Sequence, residues 1–166
     1  MKVLGVDPGT IRAGWGIVDA SRARPTFVGT GTISAPEKRE LGERLALIYD
    51  GLVEVLEAHR PDVLAIEEVY VGKHANAALA LGHARGVVML AATKFGMPIY
   101  PYAAPLVKKA IVGRGAADKT QVGRIVSAML GLREVPGPDA TDALALAITH
   151  AATLRLRELG ALPTKR

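Results

Sequence analysis

Cysteine is missing from this chain of 166 residues, which excludes disulfides and thiolate metal sites and leaves oxygen and imidazole as metal ligands. No apolar run is long and uniform enough to span a bilayer. The opening Met1-Lys2-Val3-Leu4-Gly5-Val6-Asp7-Pro8-Gly9 turns polar too early for a secretory signal. These absences together predict a cytoplasmic protein that works without a membrane. Aromatic residues are scarce, at 4%, while glycine and alanine abound, so helices are expected to pack closely and not around bulky rings. Internal repeats, low-complexity tracts and linker-like stretches are lacking too. The length suits one domain, 1–166, large enough to bury a core without staples.

Positive charge is plentiful. The chain carries 21 Lys and Arg against 16 Asp and Glu, a formal net charge of +5, and its pI is near 9.7. Such a surplus points to an acidic partner such as nucleic acid, the plainer alternative being a generally basic protein.

The stretch that organises the chain is Lys2-Val3-Leu4-Gly5-Val6-Asp7-Pro8-Gly9-Thr10. Its apolar β-formers lead into a carboxylate, and Pro8-Gly9 then breaks the strand. A continuous apolar run reads as a strand buried on both faces, so its end opens near the middle of a sheet. An acid placed there is costly unless a metal ion or a basic partner compensates it. The plain alternative is that Asp7 caps its own turn.

Residues 13–19 and 26–33 read as two more strands, and the short connections predict an antiparallel meander. Their glycines allow close backbone approach. Over residues 40–60 the period becomes helical, with Leu41, Leu45, Ile48, Leu52 and Leu56 on one face and Pro61 as the stop. Val63-Leu64-Ala65-Ile66 is then a buried strand that stops at Glu67-Glu68. A right-handed crossover sets it parallel to the first strand. Residues 75–95 form a small-sided helix in which Ala78, Gly82 and Gly86 repeat every fourth position. That groove packs either on the sheet or against a second subunit. A fifth strand at 98–102, a short helix at 105–112, a helix from Asp118 to Leu130 with Gln121 completing a capping-box-like start, and a last helix at 139–158 complete the pattern. The expected fold is α/β: a five-stranded mixed sheet, three strands antiparallel and two further ones parallel, flanked by helices.

Glu67 ends a strand parallel to the one that Asp7 ends, so both carboxylates fall at the C-terminal edge of the sheet, where open α/β sheets place their ligands. Asp139 and Asp142, three apart at a helix start, share a face. Four acids from three separated segments can meet only around a cation, because like charges that close repel. Hard oxygen ligands suit Mg²⁺ or Mn²⁺. Two such ions can hold a phosphate, activate water on one side and stabilise the leaving oxygen on the other. Taken singly, each acid has a plainer reading: Asp139 as an N-cap, Asp142 as a first-turn acid favoured by the helix dipole, Glu68 as a solvated neighbour. His59, His74, His83 and His150 show no metal spacing.

Two nucleotide-binding readings fail. Asp7-Pro8-Gly9-Thr10 is similar to the acid-Gly-Thr loop of the actin and sugar-kinase superfamily, whose two duplicated domains do not fit this length. The run from Gly113 to Thr120 is one residue short of a P-loop. There Asp118 replaces the glycine that must approach phosphate, and a helix precedes where a strand is required.

Lys108, Lys109, Arg114 and Lys119 cluster after the fifth strand, on the edge that carries the acids, as phosphate contacts. Tyr70 lies three residues past Glu67, in Val69-Tyr70-Val71-Gly72-Lys73-His74. It is placed to stack on an unpaired base, with Lys73 as a neighbouring contact; the alternative is a partly buried strand-end aromatic.

Ordered blocks across almost the whole chain carry a family resemblance. They are Gly5-Val6-Asp7-Pro8-Gly9, Leu45-Ala46-Leu47-Ile48-Tyr49, Ala65-Ile66-Glu67-Glu68-Val69-Tyr70, Ala84-Arg85-Gly86-Val87, Val107-Lys108 through Gly113, and Asp139-Ala140-Thr141-Asp142 through His150. The chain resembles the RuvC family of bacterial Holliday-junction resolvases. The resemblance implies a ribonuclease-H-like fold and an Mg²⁺-dependent nuclease with two ions per site, for which Mn²⁺ can substitute. It makes Asp7, Glu67, Asp139 and Asp142 the metal-binding catalytic carboxylates, with Lys108 and Lys119 assisting at the phosphates. Tyr70 takes the place of a base-stacking aromatic, often Phe. A homodimer is implied that nicks two opposed strands of a four-way DNA junction and works with the RuvA and RuvB branch-migration proteins. The helix around Ala78 to Gly86 fits the dimer contact. Glu68 stands where Gln is common and Tyr70 where Phe is common, departures that bear on metal affinity and on the preferred cleavage sequence.

Overall fold

The computed structural model describes residues 1–68, 75–113 and 119–162. In chain order its elements are β1 (Lys2–Asp7), β2 (Arg12–Asp19), β3 (Thr26–Ser34), α1 (Leu41–His59), β4 (Val63–Glu67), α2 (Ala75–Lys94), β5 (Ile99–Tyr102), α3 (Ala104–Val112), α4 (Lys119–Leu130) and α5 (Pro138–Glu158). The five strands form one sheet in the order β3-β2-β1-β4-β5. β1–β2 and β2–β3 pair antiparallel, whereas β1–β4 and β4–β5 pair parallel. This is the expected mixed sheet, and α1 supplies the crossover that makes β4 parallel to β1.

Alternation along the strands decides what each face carries. Leu4, Val6, Ile17, Leu64 and Ile66 pack with Leu52, Val55 and Leu56 of α1 and with Val88, Ala91 and Ala92 of α2. Val3, Val18, Val63 and Ala65 face the other way, against Leu144, Ala147 and Ile148 of α5, Ile111 of α3 and Val126 of α4. Buried aliphatic side chains contribute about 1.5–3 kcal/mol each. The four buried on α1, Ile48, Leu52, Val55 and Leu56, therefore outweigh the exposed pair at its start between Arg39 and Glu43 at 3.6 Å, which is worth under about 1 kcal/mol. α1 ends where Arg60 turns left-handed, at φ 46°. Its N–H still donates to the Leu56 carbonyl at 2.9 Å, and Pro61 prevents continuation.

α5 lies directly on the sheet because glycines line its path. A methyl group on Gly5 would overlap the carbonyl oxygen of Ala143, and one on Gly14 the carbonyl of Asp139. A methyl on Gly16 would stand 2.6 Å from Cγ of Leu144. The helix thus crosses diagonally, from Asp139 over β2, past Ala143 and Ala147 over β1, to His150 beside Tyr100 and Tyr102 of β5. Among the described residues, no helix is long and apolar enough to cross a membrane.

Candidate active site

β1 and β4 are paired up to Val6 against Ile66, so the next residues, Asp7 and Glu67, end neighbouring parallel strands. By alternation Asp7 follows Gly5, and Glu67 follows Ala65, onto the α5 face of the sheet. Both are partly exposed at the C-terminal edge. Two contacts fix the end of β4. The N–H of Glu68 donates to the Tyr102 carbonyl at 2.9 Å. From the opposite face, Nε of Arg85 on α2 donates to the Glu67 carbonyl at 3.0 Å.

The first turns of α5 complete the arrangement. The helix begins at Pro138 with Gly137 as its N-cap, so Asp139 is not the cap. It sits in the first turn, where an acid suits the helix dipole. Gly14, the register partner of Asp7, rests on the backbone of Asp139, which brings that turn to the edge where β1 ends. The Asp139 carboxylate forms an ion pair with Arg12, Oδ2 to Nε at 3.2 Å. One turn further, Asp142 lines a cavity of about 270 Å³ with Glu67 and Lys108, walled by Val107, Ile111, Val122 and Leu146. Asp142 and Glu67 therefore open onto one space, while Asp139 is turned toward Arg12. Among the described residues, no three Asp, Glu or His side chains are gathered closely enough to share an ion. The donor set nonetheless suits a hard divalent cation: carboxylate oxygens from two strand ends and a helix start, in reach of solvent.

Lys108 and Lys109 are exposed on α3, Lys108 at the cavity. Lys119 opens α4, but its side chain lies outside the described structure, as do Tyr70, Lys73, Arg114 and Asp118, on which the expected cap falls. Glu68 is exposed. His150 is fully buried, its Nδ1 hydrogen-bonded to the Tyr102 hydroxyl at 2.7 Å.

A family model described as crossover junction endodeoxyribonuclease RuvC matches residues 3–150. The chain belongs to the RuvC family. The RuvC of Rhodopseudomonas palustris is 45% identical over 165 residues, covering 97% of this chain and 95% of its own length. That of Halorhodospira halophila is 49% identical over 151 residues, covering 90% and 89%. The solved structure of T. thermophilus RuvC in complex with Holliday junction substrate matches with a TM-score of 0.87 at 35% identity, over 95% of this chain and 96% of that one. The RuvC family is one of metal-dependent nucleases with a ribonuclease-H-like fold.

Two residues at this RuvC-type site escaped the sequence reading. Arg12 had a faint signal, since an antiparallel second strand must start beside the end of the first. Arg85 stood in one of the family blocks, but nothing pointed to its contact, because its reach to Glu67 depends on how α2 is rotated on the sheet.

Proposed function

We propose that this chain resolves four-way DNA junctions by symmetric paired nicks, as a cytoplasmic Mg²⁺-dependent crossover junction endodeoxyribonuclease of recombination and repair. What supports this reading is that the ends of β1 and β4 and the first turns of α5, which bear Asp7, Glu67, Asp139 and Asp142, lie at one sheet edge, in a chain that matches the RuvC family over nearly its whole length. The whole of 1–166 then acts as one nuclease domain.

Asp7, Glu67, Asp139 and Asp142 would hold two Mg²⁺ ions, for which Mn²⁺ can substitute. When bound, the ions supply an activated water and charge stabilisation at the leaving 3′-oxygen. Lys108, at the mouth of the cavity, neutralises the phosphate that enters it, and Lys119 does the same from the start of α4. Lys109 and Arg114 add sequence-independent contacts to the strand, with Lys73, while Tyr70 stacks on an opened base. A homodimer provides two such sites for opposed strands, and RuvA and RuvB are the partners that deliver the junction. The outer side of α2 supports the dimer. Among the described residues Gly82 and Gly86 meet open space, and Leu79 and Leu90 are 62% and 55% exposed, so this face is not used for packing on the sheet.

The test compares cleavage of a four-way DNA junction, duplex DNA and structured RNA with and without Mg²⁺. Only the junction should be cut in paired nicks, and only with the metal. Asp7→Asn should slow that cleavage about a hundredfold or more while junction binding persists. Full activity in this variant would remove Asp7 from the reaction, and preferential cutting of structured RNA would replace the junction as substrate.

A further inference from the structure

We infer that Arg12 is a counter-cation built into the site, which holds Asp139 in the metal-free protein and must release it before that carboxylate can ligate a divalent ion. The inference rests on the metal-dependent reading above. Arg12 opens β2 just beyond the turn that ends β1, and Gly14, two residues on, seats this strand end against the first turn of α5. The backbone thus brings the two side chains within reach of each other, Nε of Arg12 standing 3.2 Å from Oδ2 of Asp139. A guanidinium stays protonated at any working pH, so acid or base does not free the carboxylate and only competition does.

The strength of the pair suits that role. Its side chains are 67% and 32% exposed, and pairs so open to water shift an equilibrium by only about two- to fivefold. A buried guanidinium–carboxylate pair would lock Asp139 away. This one neutralises it in the absence of metal, relieving repulsion among the acids at the edge, and yields to a doubly charged ion.

Binding of Mn²⁺ to the DNA-free protein, followed by the electron paramagnetic resonance of the free ion, tests this in wild type, Arg12→Gln, Asp139→Asn and the double variant. Arg12→Gln should bind Mn²⁺ about two- to fivefold more tightly than wild type. The same change should have no effect beside Asp139→Asn, where nothing remains to be released. Equal tightening in both backgrounds would reduce Arg12 to a contributor to the general field and overturn the proposal. Unchanged or weaker binding by Arg12→Gln would overturn it too. A wild-type protein that binds no Mn²⁺ would instead overturn the metal-dependent reading, and the inference with it. In a parallel Mg²⁺ titration, the Nε–H resonance of Arg12 should move toward its position in Asp139→Asn. A resonance that stays fixed while Mg²⁺ binds would sink the counter-cation role.

Discussion

Replacing His150 with Phe and following stability at two pH values probes how the end of α5 remote from the acids is held. His150 has no exposed surface. The Tyr102 hydroxyl meets its Nδ1 at 2.7 Å, the Tyr100 ring packs at 4.4 Å, and its Nε2 has no hydrogen-bond partner among the described residues. Burial first, and repulsion from Arg157 second, lower its pKa from the ordinary 6.5 to about 4. The folded pKa lies below the unfolded one, so the unfolded chain binds the proton more tightly. The stability linked to neutral His150 is fully present above about pH 6.5 and is lost as pH falls toward 4. Between pH 7.5 and 5.0 the two pKa values imply a loss of about 2 kcal/mol, out of about 3.4 kcal/mol at saturation. Urea unfolding of both proteins at both pH values, at one fixed protein concentration, measures it. His150→Phe removes the bond between the Tyr102 hydroxyl and Nδ1 and should lower stability at pH 7.5. The wild type should nevertheless lose about 2 kcal/mol more than the variant on going to pH 5.0. Equal losses would show that His150 protonates in the folded protein without penalty, and the argument from burial would be wrong.

Gly5→Ala should cost more than about 3 kcal/mol or prevent folding, because the added methyl overlaps the backbone of Ala143 and no rotamer relieves it; a urea midpoint close to wild type would contradict the direct seating of α5. Gly82→Leu adds bulk where the described residues leave open space, so the monomer should fold while sedimentation shows dimer lost, and a dimer of unchanged strength would move the subunit contact elsewhere. Lys119→Ala should slow junction cleavage about tenfold or more, whereas wild-type turnover would relegate that lysine to the surface.

The strands, the crossover and the helices were legible because each rests on a local signal: apolar runs, the switch to a helical period, and Pro61 as a stop. The parallel setting of β1 and β4 then carried Asp7 and Glu67 to one edge without any knowledge of side-chain contacts. Glycines in the first three strands announced close approach, but not that α5 would be the element to approach. The start of α5 was less legible, since Asp139 and Gly137 both suit an N-cap and only the backbone at Pro138 decides between them. The Ala78–Gly82–Gly86 groove left sheet packing and subunit contact equally open. Burial of Ala84 and Val88 puts the sheet on the other side of the helix. Arg12 gave only a faint signal and the contact of Arg85 none, because each reaches a segment that folding, and not sequence proximity, brings beside it.

The glycine floor beneath α5 has a consequence for how this nuclease tolerates change. With backbone resting on backbone at Gly5 and Gly14, the height of the Asp139–Asp142 turn above the strands is fixed by covalent dimensions and not by the volume of any intervening side chain. Aliphatic residues deeper along the same helix can be exchanged, at some cost in stability, without raising or lowering the reactive end. Robustness of folding and accuracy of the chemistry are thereby governed by different residues of a single rod.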